Sequence, residues 1–322
     1  MKTTVMGSYP KIPAGSGPNV RSAIQRFEKG LLTPSQLFDT YSQVIGRVVD
    51  LAAEAQLDRT TDGQIRWYDL FDPVVRDLDN VQSAGLIRLF DNNFYVRHPL
   101  ITGRLQYQGG TLAAWSREAA KRSPVPVKVA LPGLFTFLEL AEDKSYANQD
   151  ALLADLIDVM RLTVKHLEDT GIVELQWDEP ALARNATLSQ NQVEEAYRAL
   201  LDPGISLEQS IALYWGKSSP WLERLSALPF SRIYFDAISD PSILDVLSQT
   251  ALPMDVGVGL LDARNVRLEE PREVLHHLEP IIRRQGASKV WIHPNCGLEF
   301  LPPDRAEQKV RLLKDIKTLI NA

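Results

Sequence analysis

Residues 172–180, IVELQWDEP, combine a short apolar run with an acidic pair and a proline at its end. Apolar and polar residues alternate between Val173 and Trp177, and the run is too short for a helix of ordinary length. The pattern therefore predicts a β-strand that ends at Asp178 and Glu179.

Similar short runs recur along the whole chain, with segments of helical spacing between them. The segment 35–55, which follows Pro34, is one such predicted helix. A strand followed by a helix, repeated eight times, is described better by one closed (β/α)8 TIM barrel than by two doubly wound domains. We therefore predict an α/β fold with one domain over residues 1–322. The eight runs are TTVMGSY (3–9), LDRTTDG (57–63), VKVALPG (127–133), IVELQWDEP (172–180), IALYWG (211–216), RIYFDAI (232–238), MDVGVGL (254–260) and KVWIHPNCG (289–297).

One segment departs from this alternation. Between Gly85 and Gln108, apolar and polar residues alternate on both sides of the triplet Asp91-Asn92-Asn93, which is typical of a turn. This pattern predicts a β-hairpin inserted after the second unit of the barrel.

Composition excludes several classes of protein. The chain has 322 residues, of which 44% are hydrophobic, and a single cysteine, so whole-chain disorder, a disulfide scaffold and a cysteine-rich zinc module are excluded. Lys and Arg total 35 against 41 Asp and Glu, a net charge of -6 that does not favour nucleic acid as a partner. Neither a membrane span nor a signal peptide is visible, so a soluble cytoplasmic protein is expected.

Polar residues concentrate at the predicted carboxyl ends of the strands, where barrels of this class carry their chemistry. The strand bodies are nearly all apolar, and this asymmetry indicates one central functional pocket. The alternative is that strand ends tolerate polar residues because they face water. The residues concerned are Ser8, Asp62, Gln64, Asp178, Glu179, Tyr214, Asp236, Asp262, Arg264, His293 and Cys296.

Three of these carboxylates and the cysteine suggest specific chemistry. Asp178 and Glu179 could hold an ammonium group or act as a base. Asp240 is well placed to cap the next helix, which leaves Asp236 available for the pocket. Cys296 lies in the turn HPNCG, which would expose its thiol at the barrel mouth, although a lone cysteine can also be a buried packing residue.

Histidine and aromatic residues add weaker signals. His293 is the only histidine at a strand end, whereas the others fall in helical or hairpin segments. Trp67, Tyr68, Tyr214 and Trp215 lie near strand ends and could form the wall of an apolar or planar ligand site, or simply pack in the core.

Five motifs, in this order along the chain, resemble the C-terminal catalytic barrel of cobalamin-independent methionine synthase. The resemblance implies a barrel that binds homocysteine, in which a zinc ion holds the substrate thiol as a thiolate and the sulfur attacks a methyl group. It covers essentially the whole chain. The motifs are GSYPK (7–11), TDGQIRWYDLF (61–71), WDEPAL (177–182), GLLDARN (259–265) and HPNCGLEFLP (293–302).

The resemblance also implies roles for residues that would bind the amino acid. Ser8 matches a residue that helps to hold the carboxylate, and Asp178 matches the partner of the ammonium group. Gln64 stands where the family has a glutamate, so one negative charge is lost and affinity for the amine should fall. Gly7, Trp215 and Arg264 complete the expected substrate-binding set, and Asp178, Glu179 and Tyr214 are the candidate catalytic residues.

The zinc site implied by the resemblance is incomplete. Cys296 matches one ligand, and Asp236 replaces a glutamate ligand with a shorter carboxylate. The other two family ligands form a His-x-Cys element on the fifth strand, where this chain has Ala212 and Tyr214. Alanine offers no donor atom, so only weak metal binding is expected, through Cys296 and Asp236 with His293 as a substitute donor.

The chain length implies a methyl donor. Two alternative functions also stay open. Full-size family members hold methyltetrahydrofolate between two barrels, so one barrel predicts a corrinoid donor, either methylcobalamin or a partner corrinoid protein. The first alternative is a metal-free enzyme in which Asp178, Glu179, Asp236 and Tyr214 perform acid-base chemistry and Arg264 binds a carboxylate. The second is a barrel that binds an amino acid or corrinoid without catalysis.

Overall fold

The computed structural model describes residues 1–13, 17–90, 92–185, 187–202 and 204–321. The strands of these residues are β1 (Lys2–Thr3), β2 (Leu78–Arg88), β3 (Tyr95–Tyr107), β4 (Lys128–Pro132), β5 (Glu142–Asp143), β6 (Glu174–Asp178), β7 (Glu208–Leu213), β8 (Arg232–Asp236), β9 (Asp255–Leu261) and β10 (Val290–Pro294). Their α-helices are α1 (Val20–Glu28), α2 (Pro34–Glu54), α3 (Asp72–Arg76), α4 (Thr111–Arg122), α5 (Leu134–Leu140), α6 (Gln149–Glu168), α7 (Pro180–Arg184), α8 (Gln190–Leu200), α9 (Leu222–Ser226), α10 (Ser242–Gln249), α11 (Pro271–Gln285) and α12 (Pro303–Asn321).

Seven of the strands in the described residues form one sheet, in the order β1-β10-β9-β8-β7-β6-β4. The pairings of β1 with β10, β10 with β9, and β6 with β7 are all parallel. Helices alternate with these strands along the chain, as parallel pairing requires, because each strand must return to the same end of the sheet. The predicted α/β fold is confirmed.

The second predicted strand is reduced to a short paired segment. On one side, the amides of Asp58 and Arg59 donate to the carbonyl of Thr3, the last residue of β1. On the other side, Thr60 forms a single parallel bridge with Val127, immediately before β4. This segment therefore occupies the position expected of the second strand, but the polar residues and glycine that follow it end the pairing.

The chain divides into two compact units, each discontinuous in sequence. The first unit comprises Met1–Arg66, Ala119–Lys128 and Tyr234–Ala322, and the second comprises Trp67–Glu118 and Val129–Ile233. One domain over residues 1–322 stays a prediction.

In the first unit, α2 shows how local sequence sets an element. Thr33 and Gln36 form a reciprocal capping box, and Pro34 occupies the first turn, where its missing N–H costs nothing. The apolar positions predicted for this helix are all buried: Leu37, Tyr41, Val44, Val48 and Leu51.

In the second unit, β2 and β3 pair as an antiparallel hairpin, and β5 joins β3 in parallel. The hairpin begins at Leu78, earlier than the predicted start at Gly85. The amide of Leu89 donates to the carbonyl of Phe94 across the turn (2.8 Å). Asp91, part of the predicted turn triplet, lies outside the described residues.

Among the helices of the described residues, none combines the length and apolar character needed to span a bilayer.

Candidate functional site

The segment after β1, in the first unit, lies against the turn that contains Cys296. The amide of Leu298 donates to the carbonyl of Ser8 (2.9 Å). A Cβ atom at Gly297 would overlap Ser8 Oγ, so only glycine allows the serine hydroxyl to occupy this place. Gly7 has a φ of 122°, a conformation that glycine adopts readily. The structure thus brings the predicted residues Gly7, Ser8 and Cys296 into one neighbourhood.

The loop that carries Gln64 is held by backbone hydrogen bonds of the same unit. Gly63 and Gln64 both have left-handed φ angles, 73° and 53°. Asp62 Oδ1 accepts from the Gln64 amide (2.8 Å), and the Gly63 carbonyl accepts from the Tyr9 amide (2.9 Å). Burial raises the pKa of Asp62, while the Gln64 amide and the charge of Arg66 act in the opposite direction. Gln64 is buried beside this carboxylate.

Asp236, at the end of β8, is occupied by the turn that follows it. Its Oδ1 accepts from the amides of Ile238 (3.0 Å) and Ser239 (2.9 Å) and from Asn295 Nδ2 (3.2 Å), and its Oδ2 accepts from Ser239 Oγ (2.6 Å). The side chain of Asp240 accepts from the Ser242 hydroxyl, and its main-chain carbonyl accepts from the Ile243 amide. The prediction that Asp236 is left available is therefore wrong, because Asp236 itself stabilises this turn.

Cys296 is fully buried, which corrects the prediction of an exposed thiol. Its Sγ lies 3.7 Å from the carbonyl oxygen of Gly297. The main-chain amide of the preceding residue, Asn295, donates to the Leu261 carbonyl (2.8 Å). Its side-chain Oδ1 accepts from the Ala263 amide (2.8 Å). These bonds fix the turn against the end of β9, and the thiol lies inside it.

His293 packs within the strands of the first unit. Its ring meets the ring of Tyr234 edge-to-face at 5.0 Å, and Nδ1 lies 2.8 Å from the carbonyl oxygen of Pro294. A Cβ atom at Gly257 would lie 2.9 Å from Nε2, and one at Gly259 would lie 3.0 Å from Cε1. The two glycines of β9 therefore make room for this imidazole.

Arg264 is exposed, in the loop after β9. Its amide donates to Asp262 Oδ1 (2.9 Å), which shapes the loop. Binding of a substrate carboxylate by its guanidinium stays a prediction.

In the second unit, Asp178 lies at the end of β6 with 4% of its surface exposed. Its Oδ1 accepts from Gln176 Nε2 at 2.6 Å, and Gln176 is fully buried. Residues two apart on a strand share a face, so Gln176 orients the carboxylate from directly below. The main-chain carbonyl of Asp178 accepts from the amide of Gly133 (2.8 Å).

Glu179, the neighbour of Asp178, forms its hydrogen bonds with the start of α5 and with α8. It accepts from the amides of Phe135 (2.9 Å) and Thr136 (2.8 Å), from the Thr136 hydroxyl (2.6 Å) and from the Tyr197 hydroxyl (2.5 Å). A Cβ atom at Gly133 would overlap its carboxyl group. Burial raises the pKa of Glu179 although these donors lower it, and burial together with the Glu179 charge raises the pKa of Tyr197. The contacts favour a role in holding α5 in place over direct catalysis.

Tyr214 and Trp215 form an aromatic cluster after β7. Their rings meet edge-to-face at 4.7 Å, and Trp215 meets Phe90 of the hairpin at 6.3 Å. Arg184 donates to the Trp215 carbonyl (3.0 Å) and stacks over Phe90. Trp215 (φ 68°) and Phe90 (φ 51°) adopt left-handed backbone angles that are costly for bulky residues. Ala212 is buried within β7.

The other two predicted wall residues differ in exposure. Trp67 is buried, whereas Tyr68 is 37% exposed. The guanidinium groups of Arg76 and Arg97 lie 5.8 and 5.7 Å from the Tyr68 ring.

Several residues that shape these strand ends were missed by sequence reasoning. Gln176 and Asn295 stand next to singled-out residues, so their proximity was a usable signal. Tyr197, Phe90 and Arg184 lie far along the chain from the residues they contact, and no sequence pattern pointed to them.

Within the residues that the structure describes, no group of three or more His, Cys, Asp or Glu side chains is arranged to hold a metal ion.

Comparison with protein families gives one match over nearly the whole chain. The sequence model described as "Cobalamin-independent synthase, Catalytic domain" matches residues 1–318. Curated relatives include a methionine synthase of Sulfolobus acidocaldarius, 27% identical over 314 residues, which covers 96% of this chain and 89% of the relative. A methionine synthase of Sulfurisphaera tokodaii is 26% identical over 317 residues, with coverage of 96% and 89%.

Solved structures share the fold. A B12-independent methionine synthase from Shewanella sp. W3-18-1, in complex with selenomethionine, superposes with a TM-score of 0.80 at 18% identity, covering 99% of this chain and 97% of that one. A methyltransferase from Methanosarcina mazei superposes with a TM-score of 0.59 at 12% identity, covering 99% and 95%.

Proposed function

The chain belongs to the cobalamin-independent synthase family, as a member of its catalytic-domain group, and we propose that it transfers a methyl group to the thiol of homocysteine or a related amino acid. The curated methionine synthases that cover 96% of the chain support this reaction. The observation that carries the proposal is Asp178, a buried carboxylate at a strand end whose orientation is set by a neutral amide donor.

Asp178 is suited to the ammonium group of an amino acid. A carboxylate in a weakly solvated place interacts more strongly with a cation than an exposed one does. Gln176 supports the carboxylate without neutralising it, since an amide donates a hydrogen bond but carries no charge. We therefore assign Asp178 to the substrate ammonium.

In the first unit, we assign the substrate carboxylate to Ser8. Its hydroxyl lies over Gly297, beside the Cys296 turn, and the backbone there is fixed by the bond from the Leu298 amide. Gln64 contributes a neutral amide where the family has a glutamate. We therefore propose that Gln64 leaves the site with one negative charge fewer than the family pattern implies.

The prediction of a corrinoid donor is not supported. The family is described as cobalamin-independent, and nothing in the comparisons supports a corrinoid protein as partner. The acid-base alternative is also weakened, because Glu179 and Asp236 already accept four hydrogen bonds each from the protein.

Zinc is usual in this family, but the donor set of this chain does not fit it. Ala212 has no donor atom, and the oxygens of Asp236 already accept protein hydrogen bonds. The imidazole of His293 is packed between Tyr234 and the glycines of β9. We therefore assign no step of the reaction to a metal ion.

Complementation tests the reaction whatever the methyl donor is, because the cell supplies that donor. The chain is expressed in a bacterium that lacks methionine synthase activity and is fed L-homocysteine. We expect growth without methionine, and incorporation of the homocysteine sulfur into methionine when that sulfur is isotopically labelled.

The matched variants are Asp178→Asn and Asp158→Asn, the latter on the exposed surface of α6. Asp158→Asn should grow like the wild type, whereas Asp178→Asn should grow poorly at equal protein level. Absence of growth with well-expressed wild-type chain would contradict the proposed function.

A further inference from the structure

We propose that Asp236 forms a structural clasp with Asn295 in place of serving as a metal ligand, and that this chain therefore lacks the zinc centre of its family. The clasp consists of contacts within the first unit alone. The consequence of the clasp for thiol chemistry rests on the proposed function.

The carboxylate of Asp236 accepts four hydrogen bonds, three at Oδ1 and one at Oδ2. An ionised carboxylate offers about four lone-pair positions, and four hydrogen bonds of 2.6–3.2 Å reach the two oxygens of Asp236. Two come from the backbone amides of Ile238 and Ser239, which would lose their acceptor if a metal ion took Oδ1. A metal ion at Oδ1 would have to displace three donors, and one at Oδ2 would share that oxygen with the Ser239 hydroxyl, so the carboxylate is poorly placed to bind one.

The short side chain is essential to this arrangement. An aspartate can accept from backbone amides two and three residues further along the chain, which closes a compact turn. The amides of Ile238 and Ser239 stand in this relation to Asp236. A glutamate is one methylene longer and would carry its carboxylate past them. The exchange of glutamate for aspartate thus changes the role of the position as well as its reach.

Asn295 extends the clasp to two other strands. Its Nδ2 donates to Asp236, its Oδ1 accepts from Ala263, and its amide donates to Leu261. The ends of β8, β9 and β10 are thereby joined immediately before Cys296. This network requires Asp236 as an acceptor, and a cation bound at Oδ1 would compete with Asn295 Nδ2 for that oxygen.

The remaining candidate ligands in the first unit do not compensate. Cys296 is fully buried with its sulfur near the Gly297 carbonyl, and one thiolate is not sufficient for a tight zinc site. His293 points into the space above Gly257 and Gly259 and contacts Tyr234. Neither Cys296 nor His293 therefore replaces Asp236 as a zinc ligand.

Calorimetric titration with zinc chloride tests the clasp on the intact, chelator-washed chain, with and without L-homocysteine. We expect no stoichiometric binding tighter than about 10 μM in either condition, well short of the affinity of structural zinc sites. The same weak heats should appear in the wild type, Asp236→Asn and Cys296→Ser. Stoichiometric, tight zinc binding that is lost in Asp236→Asn would overturn the proposal.

A second readout separates a clasp from a ligand. Asn keeps one carbonyl oxygen that accepts from the two amides, so Asp236→Asn should lower the thermal midpoint less than Asp236→Ala does. If both variants unfold like the wild type, the clasp is wrong, whatever the zinc titration gives.

Methyl transfer decides the part that rests on the proposed function. Growth in the complementation assay combined with absence of zinc binding supports both proposals. If zinc binding is absent and growth also fails, the proposed function falls and the clasp stands. Growth together with tight zinc binding through Asp236 supports the proposed function and overturns the clasp.

Discussion

The carboxylates after β6 and β8 look alike in sequence but differ in what they hold. After β6, Glu179 accepts the backbone amides of α5, while Asp178 beside it interacts with the side-chain amide of Gln176. At the end of β8, Asp236 accepts the amides of its own turn. Two adjacent acids can divide structural and functional roles, whereas an acid that stabilises its own turn has little capacity left for a ligand.

The largest effect should follow from removing Glu179. Glu179→Ala leaves two buried amides and two hydroxyl groups without their acceptor, and each such loss costs about 1–3 kcal/mol. We expect the free energy of unfolding to fall by about 3 kcal/mol or more, measured by urea denaturation. Glu195→Ala, on the exposed face of α8, serves as control. A loss below about 1 kcal/mol would show that Glu179 does not hold α5.

Asp236→Ala should destabilise next, because the amides of Ile238 and Ser239 and the side chain of Asn295 lose a shared acceptor. We expect a loss of about 2 kcal/mol in the same denaturation experiment. Asp178→Asn should change stability little, since an asparagine oxygen can still accept from Gln176. Equal losses in the two variants would remove the distinction between the two strand ends.

The pH dependence of stability sharpens the assignment of Glu179. Burial raises its folded pKa above the ordinary value of 4.5, so between these two pKa values the folded chain binds more protons than the unfolded chain. The free energy of unfolding should therefore fall as pH rises through this window, and the contribution should be complete below it. Glu179→Gln should lack this slope. Parallel curves for wild type and variant would contradict the raised pKa.

A smaller effect is expected at Gln64. Gln64→Glu adds a negative charge in the first unit and, under the proposed function, should raise the affinity for L-homocysteine several-fold. It should not improve binding of 4-mercaptobutanoate, which has the same thiol and carboxylate but no ammonium group. Equal gains for both compounds, measured by calorimetry, would show that the added charge does not interact with the ammonium group.

Strand periodicity predicted most of the fold because the apolar runs of parallel strands are local signals. Seven of the eight predicted runs overlap strands of the main sheet, the first of them only at Thr3. The second run does not form a full strand because its polar residues and Gly63 allow only a single bridge at Thr60. The position of acidic residues at strand ends was likewise visible in the sequence.

The partners of those acids were not predictable from the same pattern. Whether Asp236 turns back to its own amides depends on the backbone angles of the following residues, which the spacing of apolar residues does not determine. The burial of Cys296 depends on Asn295, whose bonds reach β9 and the residues just after it, far earlier in the chain. The contact between Phe90 and Trp215 joins an inserted hairpin to β7 and has no local signal.

Binding of L-homocysteine and 4-mercaptobutanoate to the wild type, Asp178→Asn and Asp236→Asn tests the central claim most directly. We predict that the wild type prefers homocysteine, that Asp178→Asn reduces this preference about tenfold or more at unchanged stability, and that Asp236→Asn keeps it while losing stability. If Asp178→Asn retains the full preference for the ammonium-bearing compound, the division of roles between the two strand ends is wrong.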